Sequence, residues 1–330
     1  MQHYEDRASR NQSNVIFFIL LGFSSHEDLQ IVLFLAFLMI YTFTILGNLL
    51  IIAVSRADSH LHTPMYFFLS NFSFLEICYT TVTVPKMLSD LSTGNRTISF
   101  HACLIQMYFF FFFGTTEFFL LALMAFDRYL AICNPLRYSV IMSHRVCLLL
   151  VLSSWLCGAL VPITPTSVIS GLPFHSSNKV NHFFCDVAPL IKLSSADTFA
   201  IDLIVFLLST IVVLSSILLV MVSYIFIIST ILRIPSASGK QKAFSTCASH
   251  FIVVTIFYGT VIFMYVRPAS SDSIDLNKAV SVFYSVITPM LNPIIYSLRN
   301  KEVKESLRKV RQKLRAFGNR SSVINSSISW

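Results

Sequence analysis

The chain has 330 residues, 55% of them hydrophobic and only 12% charged, with a formal net charge of +8. Soluble domains carry about 25% charged residues, so this composition excludes a water-soluble globular protein and describes an integral membrane protein. The basic excess then suits anionic lipid and a partner at the membrane face rather than nucleic acid.

In chain order, residues 1–14 are polar, and the apolar patch Val15–Phe23 is too short to cross a bilayer, which takes about 20 residues. No cleavable signal peptide is expected. Seven long apolar runs follow, roughly 29–54, 61–88, 99–133, 145–166, 198–233, 240–266 and 273–298. In lipid such runs satisfy their own backbone only as helices. The expected fold class is therefore an all-α membrane protein, a seven-transmembrane helix bundle over 29–298. It is preceded by a tail at 1–28 and followed by a membrane-surface helix at 299–317 and a disordered tail at 318–330. The surface helix is expected because Val303, Leu307, Val310 and Leu314 recur at helical spacing among Lys and Arg, a pattern suited to lying along a leaflet.

Charges inside the spans are costly and persist where they are paired or functional. Asp127-Arg128 closes the third run at a membrane rim, where the arginine can be offered to a partner. Glu76 and Glu117 lie mid-span; Glu117 precedes Asp127 by ten residues, about 15 Å along a helix. Pro289 and Pro293 should kink the seventh span.

Lys and Arg set the orientation. With the N-terminus outside, sixteen fall on the inner side and eight on the outer, which supports N-out, C-in. Of seven cysteines, only Cys103 and Cys185 then face the oxidising side, and a disulfide between them is expected. Asn11 opens an outer glycosylation sequon, Asn11-Gln12-Ser13.

Seven spans could form a receptor, a transporter using Glu76 and Glu117 with a proton or ion, or a membrane enzyme. Ordered motifs decide. They are Gly47-Asn48, Pro64 to Ser70, Met124 to Cys133, Ser223-Tyr224, Lys242 to His250, and Pro289 to Asn300. Together with Leu20-Leu21-Gly22-Phe23 and His182 to Asp186, this set resembles the vertebrate olfactory receptors, a branch of the rhodopsin-like G-protein-coupled receptors. It covers about Leu20 to Arg308. One departure stands out: many members carry two further outer-loop cysteines where this chain has His175 and Ser195, so a loop held by one bridge and more mobile than usual is expected.

The resemblance implies a non-enzymatic plasma-membrane receptor that binds a small hydrophobic, volatile odorant and raises cyclic AMP through a stimulatory-type heterotrimeric G protein. It implies a switch made of Asp127, Arg128, Tyr129, Tyr224, Asn292, Pro293 and Tyr296, with Arg128 paired to Asp127 at rest. Asn48 and Asn292 should approach Glu76 and form with Glu117 a polar cluster, where two close carboxyls call for Na⁺ or a held proton. The pocket expected from the fold comprises Met107, Phe110, Phe111, Gly114 and Thr115 on the third span and Leu208, Ser209 and Val212 on the fifth. Tyr258, Val261 and Ile262 on the sixth, with Val282 and Ser285 on the seventh, should complete it. Phe110 and Val286 stand where amine receptors and visual pigments carry an Asp and a Lys, so a salt-bridged amine and a retinal Schiff base are not expected.

Overall fold

The structure is a computed structural model that describes residues 15–23, 27–174, 178–266 and 273–299, together with positions 303, 305, 306 and 308. It is a bundle of long helices, as their composition requires. The spans are α1 (Glu27–Ala57), α2 (Pro64–Thr93), α3 (Phe100–Cys133), α5 (His144–Leu160) continued by α6 (Ile163–Ser170), α8 (Phe199–Arg233), α9 (Ala237–Val266), and a composite last span. That last span runs through α10 (Ser273–Val282), a π-helical turn Phe283–Ile287 and α11 (Thr288–Arg299). Two short helices, α4 (Pro135–Ile141) and α7 (Val187–Leu193), lie between spans. Among the described residues six helices are long and apolar enough to cross a membrane. The pair Ala237–Ser245 and Cys247–Ile262, meeting at 48°, supplies the seventh.

Central position falls to α3, which packs against α2, α5, α8 and α9. Its contact with α5 is close enough that a Cβ on Gly158 would sit 1.9 Å from the Thr116 hydroxyl; small residues let helix backbones approach this way in lipid. The peripheral helices turn apolar side chains outward, such as Leu35, Met39 and Phe43 on α1 and Leu214 and Leu218 on α8, because the bilayer accepts them.

The last span shows why the prolines matter. Pro293 has no N–H, so the Pro289 carbonyl loses its helical donor. Asn48 Nδ2 on α1 donates to that carbonyl at 3.4 Å. Gly47 makes the approach fit, since a Cβ there would lie 3.0 Å from Pro293 Cβ. The π turn just before Thr288-Pro289 takes up the missing bond of Pro289, with the Thr288 hydroxyl donating to Phe283 O at 3.1 Å.

One end carries a feature that the helical reading lacked. The patch Val15–Phe23 contains β1 (Phe17–Leu20), which pairs antiparallel with β2 (Thr97–Ser99) and parallel with β3 (Lys179–Val180) in the order β2-β1-β3. Strand alternation points Phe18 and Leu20 inward, and both are buried against Ile98, Met107, Phe174 and Val180. The disulfide Cys103–Cys185 closes this end. The opposite end carries Arg128, and there Ser306 donates to Asp58 Oδ2 at 2.5 Å. Apart from positions 303, 305, 306 and 308, the surface helix expected from 300 onward lies outside the described residues, as do the tail at 318–330 and Asn11.

Candidate functional site

Near the disulfide end the helices enclose a cavity of about 320 Å³, within the range of small-molecule sites. From α3 it is lined by Phe110, Phe111, Gly114, Thr115 and Phe118, and from α8 by Leu208, Ser209 and Val212. Val261 and Phe257 of α9, Tyr284 of the π turn and Tyr79 of α2 close other sides. The loop after the bridging cysteine supplies Asp186 and Val187, and Pro162 and Pro165 come from the α5–α6 break. The cavity exists partly because Gly114 has no side chain: a Cβ there would find only the Tyr79 ring, at 3.8 Å or more.

The roof is tied down by polar bonds. Gln106 on α3 accepts from Cys185 N at 3.0 Å and donates to Val82 O at 3.0 Å, beside the Pro85 interruption of α2. Asp186 Oδ1 accepts from Val187 N at 2.8 Å and caps α7. Burial with few donors pushes the Asp186 carboxyl up to about 6. His182 stacks on Phe183 with centroids 4.7 Å apart. Burial first, and the nearby Lys278 ammonium second, push its imidazole down to about 3. Lys278 itself donates to Gly22 O at 3.1 Å.

Below the cavity lies a buried polar core. Asn292 Nδ2 donates to Glu76 Oε1, as the sequence led one to expect. Asn48 reaches the Thr44 and Pro289 carbonyls rather than a carboxylate. Glu76 Oε2, both oxygens of Glu117, Asn48 Oδ1 and Asn292 Oδ1 are buried without a hydrogen-bond partner. All five are acceptors, and Glu76 lies within electrostatic range of Glu117. Such a surplus of acceptors fits a cation or an added proton.

At the arginine end, the expected Asp127–Arg128 ion pair is absent: among the described residues the one ion pair is Lys86–Asp90. Instead the Tyr138 hydroxyl, from α4, donates to Asp127 Oδ1 at 2.7 Å. Tyr138 lies within hydrogen-bond reach of Asp127, whereas no Arg128 nitrogen comes within ion-pair distance of it. Burial and the adjoining carboxylate push the Tyr138 hydroxyl far up. Arg128 is 7% exposed with its Nε unbonded. Tyr224 OH and His250 Nδ1 are 2.8 Å apart, and His250 Nε2 lies 3.1 Å from Leu121 O, which joins α8, α9 and α3. Tyr296 is buried beside Phe72 with its hydroxyl unbonded.

A family model described as olfactory receptor matches residues 37–313. The chain belongs to the olfactory receptor family. It is 55% identical to human olfactory receptor 6F1 over 292 residues, covering 88% of this chain and 95% of that one. To mouse olfactory receptor 5AP2 it is 51% identical, covering 92% and 95% respectively. Squid rhodopsin matches the fold with a TM-score of 0.64 at 15% identity, covering 89% of this chain and 91% of that chain. This olfactory receptor is thus a rhodopsin-like seven-helix membrane receptor, and not an enzyme.

Of the residues expected to form the pocket, Phe110, Phe111, Gly114, Thr115, Leu208, Ser209, Val212 and Val261 line the cavity, and Met107, Tyr258, Ile262, Val282 and Ser285 do not. Met107 is one turn too high and packs under the β-sheet. Tyr258 sits behind the wall, edge-on to Phe118 and Phe257. Ile262 is 44% exposed, facing away from the bundle. Ser285 is buried in its own helix turn, donating to Ser281 O, and Val282 packs against the core; the π turn rotates both away from the cavity and brings Tyr284 in. Tyr129 faces Phe226 and Asn134, off the central axis. The sequence reading missed Asp186, Gln106 and Tyr138, and among the lining residues also Tyr79, Phe118, Phe257 and Tyr284. Asp186 alone carried a signal, because it directly follows a bridging cysteine.

Proposed function

We propose that this receptor binds a small, hydrophobic, volatile odorant in the cavity under the disulfide loop and activates a stimulatory-type heterotrimeric G protein, raising cyclic AMP. The observation that carries this reading is that one helix, α3, presents Phe110, Phe111, Gly114 and Thr115 to the cavity and Arg128 to the far end. A ligand that binds one arrangement of α3 and its neighbours better than another shifts the population of the Arg128 end. The Tyr138–Asp127 bond supports reading this arrangement as the released form of the switch, with Arg128 free for a partner.

The N-terminus is proposed to be extracellular and the C-terminus cytoplasmic in the plasma membrane. The twofold inner excess of Lys and Arg supports this, as does a disulfide at the N-terminal end of the bundle. Asn11 is then available for glycosylation. Na⁺ or a proton is held at Glu76 and Glu117, which would favour the resting arrangement. An odorant panel read by cyclic AMP in cells tests the main claim; a ligand response that persists without the stimulatory G protein would sink the coupling. Replacing Na⁺ with choline should raise basal signalling in the wild type and leave Glu76→Gln unchanged.

A further inference from the structure

We infer that Asp186 is the recognition group of the cavity and selects apolar ligands that carry a hydroxyl, such as aliphatic alcohols. The inference rests on reading the cavity as the odorant site.

Most of the lining can only repel water: Phe110, Phe111, Phe118, Val212, Phe257 and Val261 offer no polar atom. The hydroxyls of Tyr79, Thr115, Ser209 and Tyr284 can each donate as well as accept, so they do not sort ligands by the sense of the hydrogen bond. Asp186 does. Its Oδ1 is occupied by the Val187 N–H. Among the described residues no group bonds Oδ2, no Lys or Arg lines the cavity, and no ion pair reaches the carboxylate.

A carboxylate that lines a largely apolar cavity with Oδ2 unbonded is short of donors, and desolvation without a replacement bond is costly. The raised proton affinity of the group reports the same shortage. A ligand hydroxyl supplies the missing donor. An ether or ketone cannot, and forces Oδ2 to stay unpaired. An ammonium loses far more hydration than a hydroxyl on entering a largely apolar cavity, so the alcohol is the better fit.

The test uses the full-length receptor in nanodiscs with n-octanol, its isomer heptyl methyl ether, and n-octylamine, measuring each dissociation constant at neutral pH. In the wild type n-octanol should bind roughly ten-fold or more tighter than the ether. Asp186→Ser keeps a hydroxyl able to cap α7 but withdraws the open oxygen, and should bring the two ligands to similar affinity. Gly114→Phe, which fills the cavity, should weaken both. Equal binding of alcohol and ether in the wild type, tighter binding of the amine, or no binding of n-octanol overturns the inference. If both ligands bind but ignore Gly114→Phe, the cavity reading itself is lost. If both respond to that variant yet bind equally, only the role of Asp186 is lost. Should Asp186→Ser fail to fold, the wild-type comparison of alcohol with ether decides alone.

Discussion

The two ends of the bundle differ in how much of their buried polarity is satisfied. Among the described residues, Thr83 Oγ1 and Asp186 Oδ2 lack partners at the disulfide end, and more unpartnered groups lie from the middle to the arginine end. At the disulfide end Gln106 bridges α2 and the loop, Lys278 reaches Gly22, and three strands pair around Phe18 and Leu20. From the middle to the arginine end, Glu76, Glu117, Arg128 and Tyr296 each keep a buried atom with no partner. A satisfied network rigidifies, whereas an incompletely satisfied one leaves free energy to be gained by rearrangement or by a partner. The first end is built to hold a shape and the second to change it. The described part of the long loop bears this out: it is tied by β3, by Gln106 and by the single bridge, so the mobility expected from the missing cysteine pair has other restraints against it.

The contrast can be broken most sharply at Arg128. Replacing it with Ala should abolish ligand-dependent cyclic AMP while surface expression, scored by antibody, stays near wild type. Full signalling in that variant would remove the switch from the arginine end. At the other end, Cys103→Ser opens a loop spanning 82 residues of sequence. Chain entropy assigns such a closure about 4 kcal/mol, so the purified receptor should lose thermal stability and surface yield.

Acid probes the roof. His182 stays neutral in the fold, at about 3 against an ordinary 6.5. The unfolded chain therefore takes up this proton first, and the stability His182 contributes is full above 6.5 and falls away towards 3. Asp186 acts the other way: raised from 3.8 to about 6, it binds its proton first in the fold and adds stability as pH drops through that window. The two oppose each other, and the loss attributable to His182 alone should be about 2 kcal/mol near pH 5. In His182→Phe the thermal midpoint should instead rise between pH 6 and pH 4, with Tyr79 and Tyr284 the other titratable groups lining the cavity with Asp186. A midpoint unchanged by the substitution at every pH would show that His182 is not held neutral.

The smallest effect belongs to Tyr138→Phe. Loss of the hydroxyl frees Asp127 to recapture Arg128, and one hydrogen bond of about 1 kcal/mol corresponds to roughly five-fold in the switch equilibrium. Odorant potency should fall by about that factor, with binding to the resting receptor unchanged. A gain in potency would reverse the assignment of this arrangement as the released form.

Much of the architecture could be read from composition alone, because lipid leaves an apolar run only one way to satisfy its backbone. The span limits agree closely: 99–133 was expected and Phe100–Cys133 found, 198–233 expected and Phe199–Arg233 found. The Cys103–Cys185 bridge, the Asn292–Glu76 contact and the α3 and α8 walls of the cavity were legible too. The bridge follows from which cysteines face the oxidising side, and the other two follow from the resemblance to the rhodopsin-like fold. What the tertiary structure decided is how each helix is rotated and where the loops return. A single π turn moves Ser285 out of the cavity and Tyr284 into it, and one phenol from a seven-residue helix replaces Arg128 at Asp127. Asp186 becomes a lining residue because a disulfide and a glutamine fold its loop over the mouth. Local periodicity cannot encode these outcomes, since each is settled by partners far apart along the chain.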